Sequence, residues 1–368
     1  MKRGIVILVI LAGLAVALSL VTCATFAAEQ KGNAVKPSAE RLVILRDTGL
    51  YEIQRSAKSK HWKEKELVNF QKIGKGEGIP VFGDASQPLA LAPIYSSSEI
   101  LFGQSGSGWG GFIQVYAWER KQKKFVSRGS YALADTSEMG PLVFTSWVPS
   151  KAMGSIMITG EIDFPYPFEV IKLMSNGRIA AGKAVDTSLA RVEKKLGKNH
   201  YLSAAAYSQD GSIFVGANRG RLYNWKRRFG KIMTISTPAN HILSLFISRD
   251  KGVVAWLGEE GPSSYKAVGD FPTPNAFGLV RLDTGKATFW RAGQLKSMPQ
   301  GFALSKYLLD SRIAISKGND ALYFPISEIR QPKDWKAPVP KQHLARFDIK
   351  RGTIEIIAKD VRSFAVPY

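Results

Sequence analysis

The stretch that decides the fold is AYSQDGSIFVGANRGRLYNW, residues 206–225. Its three short apolar runs are separated by Gln209-Asp210-Gly211 and by Asn218-Arg219-Gly220. Asp, Asn and Gly tolerate the positive φ that tight hairpin turns require, whereas Val, Ile, Phe and Tyr favour strands. The stretch therefore predicts three antiparallel strands joined by two turns.

The same alternation of short apolar run and turn recurs along the chain. Further examples are RLVILRDTGLYEIQR (41–55), ALAPIYSSSEILFGQ (90–104), PFEVIKLMSNGRIAAGKAV (167–185), LFISRDKGVVAWLG (245–258), LVRLDTGKATFWRAG (279–293) and LARFDIKRGTIEIIAKD (344–360). The units recur about every 40–55 residues, which is the spacing of β-propeller blades. The predicted fold is all-β: a β-propeller of four-stranded antiparallel blades.

Grouping four strands to a blade assigns most of the chain to blades. Five blades fall near residues 89–130, 141–186, 203–236, 243–292 and 302–358. A further blade combines both ends of the chain, with its first strand from VRSFAVPY (361–368) and the rest from residues 41–73. This closure leaves no open sheet edge in the ring. The sequence thus predicts six blades, or seven if residues 58–82 contain further strands.

Two segments depart from the strand pattern. DTSLARVEKKLGKN (186–199) predicts a helix, since Asp186 can cap its start, its apolar residues share one face, and Gly197 can end it. KSKHWKEKELVNF (58–70) fits a loop, a helix or a strand.

The blade units resemble those of a known group of proteins. YSQDGSIFVGA followed by RGRLYNW, and GLVRLDTGKATFW, are similar to blades of exported bacterial propellers of the TolB-like and wider WD-repeat-like kind. The Gly-His and Trp-Asp pairs of true WD repeats are absent from the sequence. The resemblance covers most of residues 41–368 and implies a fold, which does not by itself imply a function.

The first 28 residues have the pattern of a secretory signal peptide. Lys2 and Arg3 precede an uncharged run that extends to Thr22, and small residues precede a cleavage site expected near Ala27–Ala28. We expect an exported protein, periplasmic or secreted, with a short linker at 29–40 and a propeller domain at 41–368. An uncleaved N-terminal membrane anchor, or a lipoprotein modified at Cys23, are the alternatives. Cys23 is the only cysteine, so a mature chain has neither a disulfide nor a thiolate metal site.

The chain is strongly basic, with 51 Lys and Arg against 30 Asp and Glu and a net charge of +21. WERKQKKF (118–125), EKKLGK (193–198) and NWKRRFGK (224–231) mix cations with aromatic residues. They are predicted at hairpins of outer strands, where the cations either protect sheet edges or bind anionic partners. The cations singled out are Lys123, Lys124, Lys226, Arg227 and Arg228. Because exported proteins rarely meet nucleic acid, lipid headgroups, lipopolysaccharide, acidic glycans or an acidic protein are the expected partners.

The usual catalytic motifs are absent or out of context. GSGWGG (106–111) has dinucleotide-binding spacing, but the strand-like FIQVYAW follows it, so it predicts a hairpin loop with Trp109 exposed. The four histidines lack metal-ligand spacing, and no Gly-x-Ser-x-Gly elbow occurs. No cofactor is predicted from these patterns.

Carboxylates in two long loops are the remaining candidates for a pocket. Propeller hydrolases and lactonases use carboxylates around the central channel, and long loops are often functional. The candidates lie in residues 160–168 and 258–276: Glu161, Asp163, Glu259, Glu260 and Asp270.

Two functions follow from these patterns. The favoured one is an exported, non-enzymatic β-propeller that binds a protein or an anionic envelope component, with any membrane contact peripheral or through an N-terminal anchor. The alternative is a hydrolase or lactonase-like enzyme that uses channel carboxylates and a divalent cation.

Overall fold

The structure is a computed structural model of the chain. It describes residues 39–56, 59, 61–73, 89–91, 99–105, 112–132, 143–149, 154–159, 169–173, 179–181, 187–196, 202–208, 210–226, 231–261, 273–305, 312–329 and 341–367. The predicted signal segment, with Cys23, lies outside these residues, as does nearly all of the predicted linker. Within the described ranges, no helix has the length and apolar character needed to span a bilayer.

The described strands form six antiparallel sheets, named I to VI in chain order. Sheet I contains β1 (Glu40–Arg46), β2 (Gly49–Arg55) and β3 (Lys63–Asn69), and sheet II contains β4 (Leu89–Leu91), β5 (Glu99–Ser105), β6 (Phe112–Glu119) and β7 (Lys124–Ala132). Sheet III contains β8 (Val143–Pro149), β9 (Gly154–Thr159), β10 (Glu169–Leu173) and β11 (Ile179–Ala181), and is followed by helix α1 (Thr187–Leu196). Sheet IV contains β12 (Ala204–Tyr207), β13 (Ile213–Asn218), β14 (Arg221–Lys226) and β15 (Lys231–Ser236).

The last two sheets follow, and the chain then returns to the first. Sheet V contains β16 (His241–Ile247), β17 (Val253–Glu259), β18 (Ala276–Arg281) and β19 (Ala287–Arg291). Sheet VI contains β20 (Phe302–Leu304), β21 (Ala314–Ile315), β22 (Ala321–Glu328), β23 (Gln342–Asp348) and β24 (Thr353–Ala358). The last strand, β25 (Ser363–Ala365), pairs with β1 and completes sheet I, with Ile44 opposite Phe364. The predicted closure by the two ends of the chain is therefore confirmed.

The sheets are arranged as a propeller. Five have four strands, as predicted; in sheet VI the first strand is divided into β20 and β21, which both pair with β22. The first strands contact one another around a central axis, in the order β25, β4, β8, β12, β16 and β21. Apolar cores fill the spaces between neighbouring sheets, with Phe277, Phe324 and Phe347 between sheets V and VI. In the described cores, sheets I, V and VI each bury both faces against neighbouring sheets.

Local structure agrees with most of the sequence pattern. The decisive stretch 206–225 forms parts of β12, β13 and β14, and the predicted helix is α1. The ambiguous segment 58–70 contributes β3. The basic run 193–198 was assigned wrongly to an outer hairpin, because its residues 193–196 form the last turn of α1.

The turns use positive φ at positions that the sequence pattern did not identify. Gly211 has φ 68°, as expected for glycine, but in the next turns Arg219 (50°) and Lys251 (61°) adopt it. Gly220 is required for a different reason, since a Cβ atom there would lie 2.0 Å from the carbonyl oxygen of Ala239. Close backbone approach between β14 and the segment that leads to β16 therefore excludes a side chain.

The turn after the first strand is built in the same way in sheets IV, V and VI. A buried serine hydroxyl accepts the N–H of the second strand's first residue at 3.0 Å and donates to a nearby aspartate at 2.5–2.8 Å. We call this arrangement the serine–aspartate turn; its pairs are Ser208 with Asp210, Ser248 with Asp250, and Ser316 with Asp320.

Serine–aspartate turns of neighbouring sheets are also joined to each other. Lys251 of sheet V forms an ion pair with Asp210 of sheet IV, and the Asn319 amide of sheet VI donates to Asp250 of sheet V at 2.8 Å. Partial burial alone would raise the pKa of Asp210, but hydrogen bonds from Lys251, Ser212 and Ser208 hold it well below its usual range. Asp210 therefore remains charged, and it links the turns of sheets IV and V.

The up-and-down order of strands gives the ring two different faces. Connections from first to second and from third to fourth strand lie on one side, which we call the turn face. Connections from second to third strand, and from one sheet to the next, lie on the other, which we call the loop face. Since β1 begins and β25 ends at the turn face, the described chain starts and stops on that side.

Candidate functional site

The loop face carries the long connections of four sheets. They join the second and third strands and span residues 106–111 (sheet II), 160–168 (sheet III), 260–275 (sheet V) and 329–341 (sheet VI). Most of these residues lie outside the described ranges, but the strand ends that flank them are described. The predicted pocket loops 160–168 and 258–276 therefore begin and end on the same face of the ring.

The base of the 260–275 connection is fixed by an asparagine side chain. The Asn275 carboxamide accepts the backbone N–H of Glu260 at 2.7 Å and donates to the carbonyl of Glu260 at 2.8 Å. The Asn240 amide donates to the carbonyl of Gly261. The last residues of β17 and the first residues of the connection are thus held beside the start of the inner strand β16.

Glu260 forms an ion pair rather than a free catalytic carboxylate. Both of its oxygens accept hydrogen bonds from Arg291, at the end of β19, each at 2.5 Å. The hydrogen bond from Glu260 raises the pKa of Arg291, whose guanidinium also lies over the Phe289 ring at 5.1 Å. This pair lies on the rim of the loop face and fixes the end of β19 against the connection.

Glu259 was predicted wrongly as a loop residue. It is the last residue of β17, is buried, and lies opposite His241 in the ladder with β16. Since cross-strand partners project to the same side of a sheet, Glu259 and His241 share one side of sheet V at the loop face.

Side chains of the inner strands link the sheets around the central channel. Arg312, just before β21, donates to the carbonyl of Leu91 in β4. The Ser363 hydroxyl in β25 accepts the N–H of Leu91 at 2.9 Å, and that of Ser244 in β16 accepts the N–H of Ile313 at 3.1 Å. The channel wall is therefore cross-linked by polar contacts and carries a guanidinium.

The predicted basic patches lie on the opposite face from the predicted pocket loops. Lys123 and Lys124 are exposed at the β6–β7 turn, and Lys226 is the half-buried last residue of β14. Both positions are third-to-fourth connections, which belong to the turn face. Arg227 and Arg228 follow Lys226 but lie outside the described residues.

The other predicted site residues cannot be located on the structure. Trp109, Glu161, Asp163 and Asp270 lie outside the described residues. Among the residues that are described, no three His, Cys, Asp or Glu side chains form a group that could hold a metal ion. A hydrolase that uses Glu161 and Asp163 with a divalent cation therefore stays a prediction.

His343, at the loop-face end of β23, is held in its neutral form by its surroundings. It is buried against Phe302, and its Nδ1 accepts the backbone N–H of Asp360 at 3.2 Å. Burial lowers its pKa; Asp360 and Glu328 oppose this effect, while Lys359 and Lys341 reinforce it.

We expect folding stability to decrease as the pH falls below about 6.5 because of His343. Its folded-state pKa is lower than its unfolded value, so its contribution is complete above 6.5 and is lost as the unfolded chain binds the extra proton. Urea unfolding should show that the wild type loses on the order of 1 kcal/mol more free energy of unfolding between pH 7.5 and pH 5 than His343→Asn does. In this variant the amide oxygen can replace Nδ1 as the hydrogen-bond acceptor, but the side chain does not bind a proton. Parallel stability curves for the two proteins would contradict this assignment.

Sequence reasoning missed the residues that organise the loop face. Asn240, Asn275 and Arg291 were not candidates, although each directly precedes or ends a strand. Asparagine at such positions often bonds neighbouring backbone groups, and that signal could have identified the first two.

Comparison with known proteins supports the fold. No protein-family model matches the chain, and no curated protein matches it in sequence. Among solved structures, TolB from Acinetobacter baumannii has a TM-score of 0.50 at 11% identity, covering 96% of this chain and 72% of TolB. The β-propeller domain of Cps50 (Swd1) from Myceliophteria thermophila has a TM-score of 0.41 at 10% identity (88% and 87% covered). A putative 6-phosphogluconolactonase from Bacteroides uniformis has 0.42 at 10% (88% and 83%).

These identities show likeness of fold alone. The resemblance to TolB-like propellers that the turn sequences indicated is thus confirmed at the level of architecture.

Proposed function

We propose that the chain is an exported β-propeller of six blades, counting the five-stranded sheet as one blade, that binds a partner protein through its loop face. One observation carries this proposal: the second-to-third connections of sheets III, V and VI, of nine, sixteen and thirteen residues, all open on that face. Loops displayed together on a rigid scaffold form an adaptable surface for recognition.

Exposed apolar surface at the same place supports the proposal. Ile329, where β22 leads into the 329–341 connection, is 63% exposed, which is high for a large apolar side chain. The nearby cluster of Asn240, Asn275 and the Glu260–Arg291 pair provides preorganised polar groups. An apolar centre with a polar rim is typical of protein interfaces.

Site-specific photocrosslinking tests this proposal. A photoreactive amino acid at Thr48 or Ile329, both exposed on the loop face, should yield a defined adduct in cells. The same amino acid at Lys317 or Lys350, exposed on the turn face, should yield none. Ile329→Ser should weaken the purified complex about tenfold, because an apolar anchor is lost. Equal adducts on both faces, or none on the loop face, would refute the proposal.

A further inference from the structure

The turn face differs from the loop face in the state of its charges. Six lysines and arginines in its described turns are exposed: Lys121, Lys123, Arg249, Lys317, Lys350 and Arg351. They come from sheets II, V and VI, so the positive charge is spread over the face rather than confined to one hairpin.

The carboxylates of these turns are already engaged. Asp210 pairs with Lys251, Asp250 accepts from Ser248 and Asn319, Asp320 accepts from Ser316, and Asp283 pairs with Arg281 at 2.8 Å. Asp210 and Asp283 each pair with a cation, whereas Asp250 and Asp320 accept from neutral Ser and Asn donors. In the described turns the six exposed cations therefore outnumber the two carboxylates for which no ion pair is described. Coulomb attraction between this face and an anionic surface follows from that arrangement.

One place on the turn face has an additional excess of positive charge. At the boundary of sheets I and II, the Arg41 and Arg120 guanidiniums both face a single carboxylate, that of Glu52. Arg41 forms an ion pair with Glu52, while the Nε of Arg120 is buried and has no hydrogen-bond partner in the described part of the chain. Burial and the nearby Arg41 both lower the pKa of Arg120, and Glu52 offsets them only in part. An external anion would relieve this unbalanced charge.

The path of the chain places the same face next to any lipid-associated N-terminus. β1 begins at Glu40 on the turn face, and the apolar run 4–22 precedes it in sequence. The 17 intervening residues, 23–39, span at most about 60 Å when fully extended. An N-terminal anchor would therefore join the ring on the side of the turn face.

We propose that the turn face docks on the surface of a bilayer containing anionic phospholipids, with Arg41, Arg120 and the β6–β7 turn as its most strongly binding part. Phosphate-bearing headgroups match the exposed cations in charge, and the protein would present its loop face away from the membrane. This inference concerns a different face from the proposed partner site and does not depend on it.

Vesicle cosedimentation of the purified mature chain tests the inference. The chain should bind vesicles of phosphatidylcholine with phosphatidylglycerol at low salt, and release them at high salt. A turn-face variant, Lys121→Gln with Arg249→Gln and Lys317→Gln, should bind roughly a hundredfold more weakly, since each cation near an anionic surface accounts for about fivefold. The matched loop-face variant, Arg219→Gln with Lys296→Gln and Lys359→Gln, removes the same charge from exposed positions and should change binding less than threefold.

Each other outcome would overturn the inference. Equal weakening in both variants would show a general charge effect, and equal binding to pure phosphatidylcholine would exclude charge recognition. Loss of a crosslinked protein partner from the turn-face variant, without any vesicle binding, would assign this face to an acidic protein instead. The loop-face crosslinks at Thr48 and Ile329 should persist in the turn-face variant, so failure of one proposal is distinguishable from failure of the other.

Discussion

Deletion of residues 361–368 is expected to reduce the free energy of unfolding by about 5 kcal/mol or more, and to make the protein aggregate. The deletion removes β25, the inner strand of sheet I, which pairs with Val43, Ile44 and Leu45 of β1. Val361 and Phe364 are buried, and burying each such side chain contributes about 1.5–3 kcal/mol.

The deletion also opens the ring at its centre. The Ser363 hydroxyl accepts the N–H of Leu91, and this hydrogen bond joins the inner strands of sheets I and II. Without β25 the hydrogen-bonding edge of β1 is exposed, and such edges pair with other chains. Thermal unfolding and gel filtration together measure both effects.

Two further variants test the same contact if the eight-residue deletion does not yield soluble protein. Deleting only residues 367–368 retains β25 and should leave the melting temperature nearly unchanged. Phe364→Ala keeps the strand but creates a cavity among Leu42, Ile44 and Tyr323, and should cost about 3–5 kcal/mol. If the eight-residue deletion melts as the wild type does, the terminal strand does not close the ring.

Local chemistry explains why much of this fold could be predicted from sequence. In residues 206–225 each strand is a short run of β-favouring residues and each turn contains residues suited to reversal, so no distant contact is needed to recognise them. The closure of the ring was also predictable, because an unpaired strand at each end of a repeat array has one natural partner. The serine–aspartate turn was missed because its spacing varies: Asp210 is two residues after Ser208, whereas Asp320 is four after Ser316.

The candidate site was less predictable because it depends on topology and on distant pairs. The sequence gives no sign that the Glu260 carboxylate is paired, because its partner Arg291 is 31 residues away, beyond a whole strand of sheet V. The sequence pattern places Glu259 in a loop, because β17 is buried on both sides and shows no alternation of apolar and polar residues that would mark its end. The predicted pocket loops and the basic hairpins lie on opposite faces of the ring. This can be recognised only when the position of each strand within its sheet is known.

The features on which the two proposals rest lie on different faces of the ring. Long connections and an exposed isoleucine belong to the loop face, whereas engaged aspartates and exposed cations belong to the turn face. A protein that bound a partner and an anionic surface on one face would force them to compete. With the two proposed sites on opposite faces, both would be able to bind at once.

Replacing Arg346 by methionine is expected to cost about 3 kcal/mol, because the largely buried Glu40 carboxylate loses its main counter-charge and retains only Arg55 as a cationic partner. Arg346 of β23 is 5% exposed and donates to both oxygens of Glu40, each at 2.9 Å. Tyr323 also donates to Glu40, and Arg55 donates to Glu40 and to Glu355, each at 2.8 Å. This network joins the first strand of the chain to sheet VI and so reinforces the closure that β25 begins.

The pKa of Glu40 explains the sign of the effect. Burial alone would raise it, but hydrogen bonds from Arg346, Tyr323 and Arg55 hold it below its ordinary value. A depressed carboxyl pKa stabilises the fold above about pH 4.5, and this contribution is lost as the pH falls through the folded-state value. In Arg346→Met the carboxylate keeps its burial and loses its main counter-charge, so the loss of stability should begin at higher pH.

The double variant Glu40→Gln with Arg346→Met separates charge from packing. Without Arg346 a buried negative charge remains, whereas the double variant contains neither charge and should recover more than half of the lost free energy. Arg351→Met, at an exposed turn position, is the matched control and should change stability by less than about 0.5 kcal/mol. Urea unfolding at pH 7.5 provides the values. If Arg346→Met costs no more than Arg351→Met, the ion network does not stabilise the closure, and β25 with its apolar contacts holds the ends of the chain together without it.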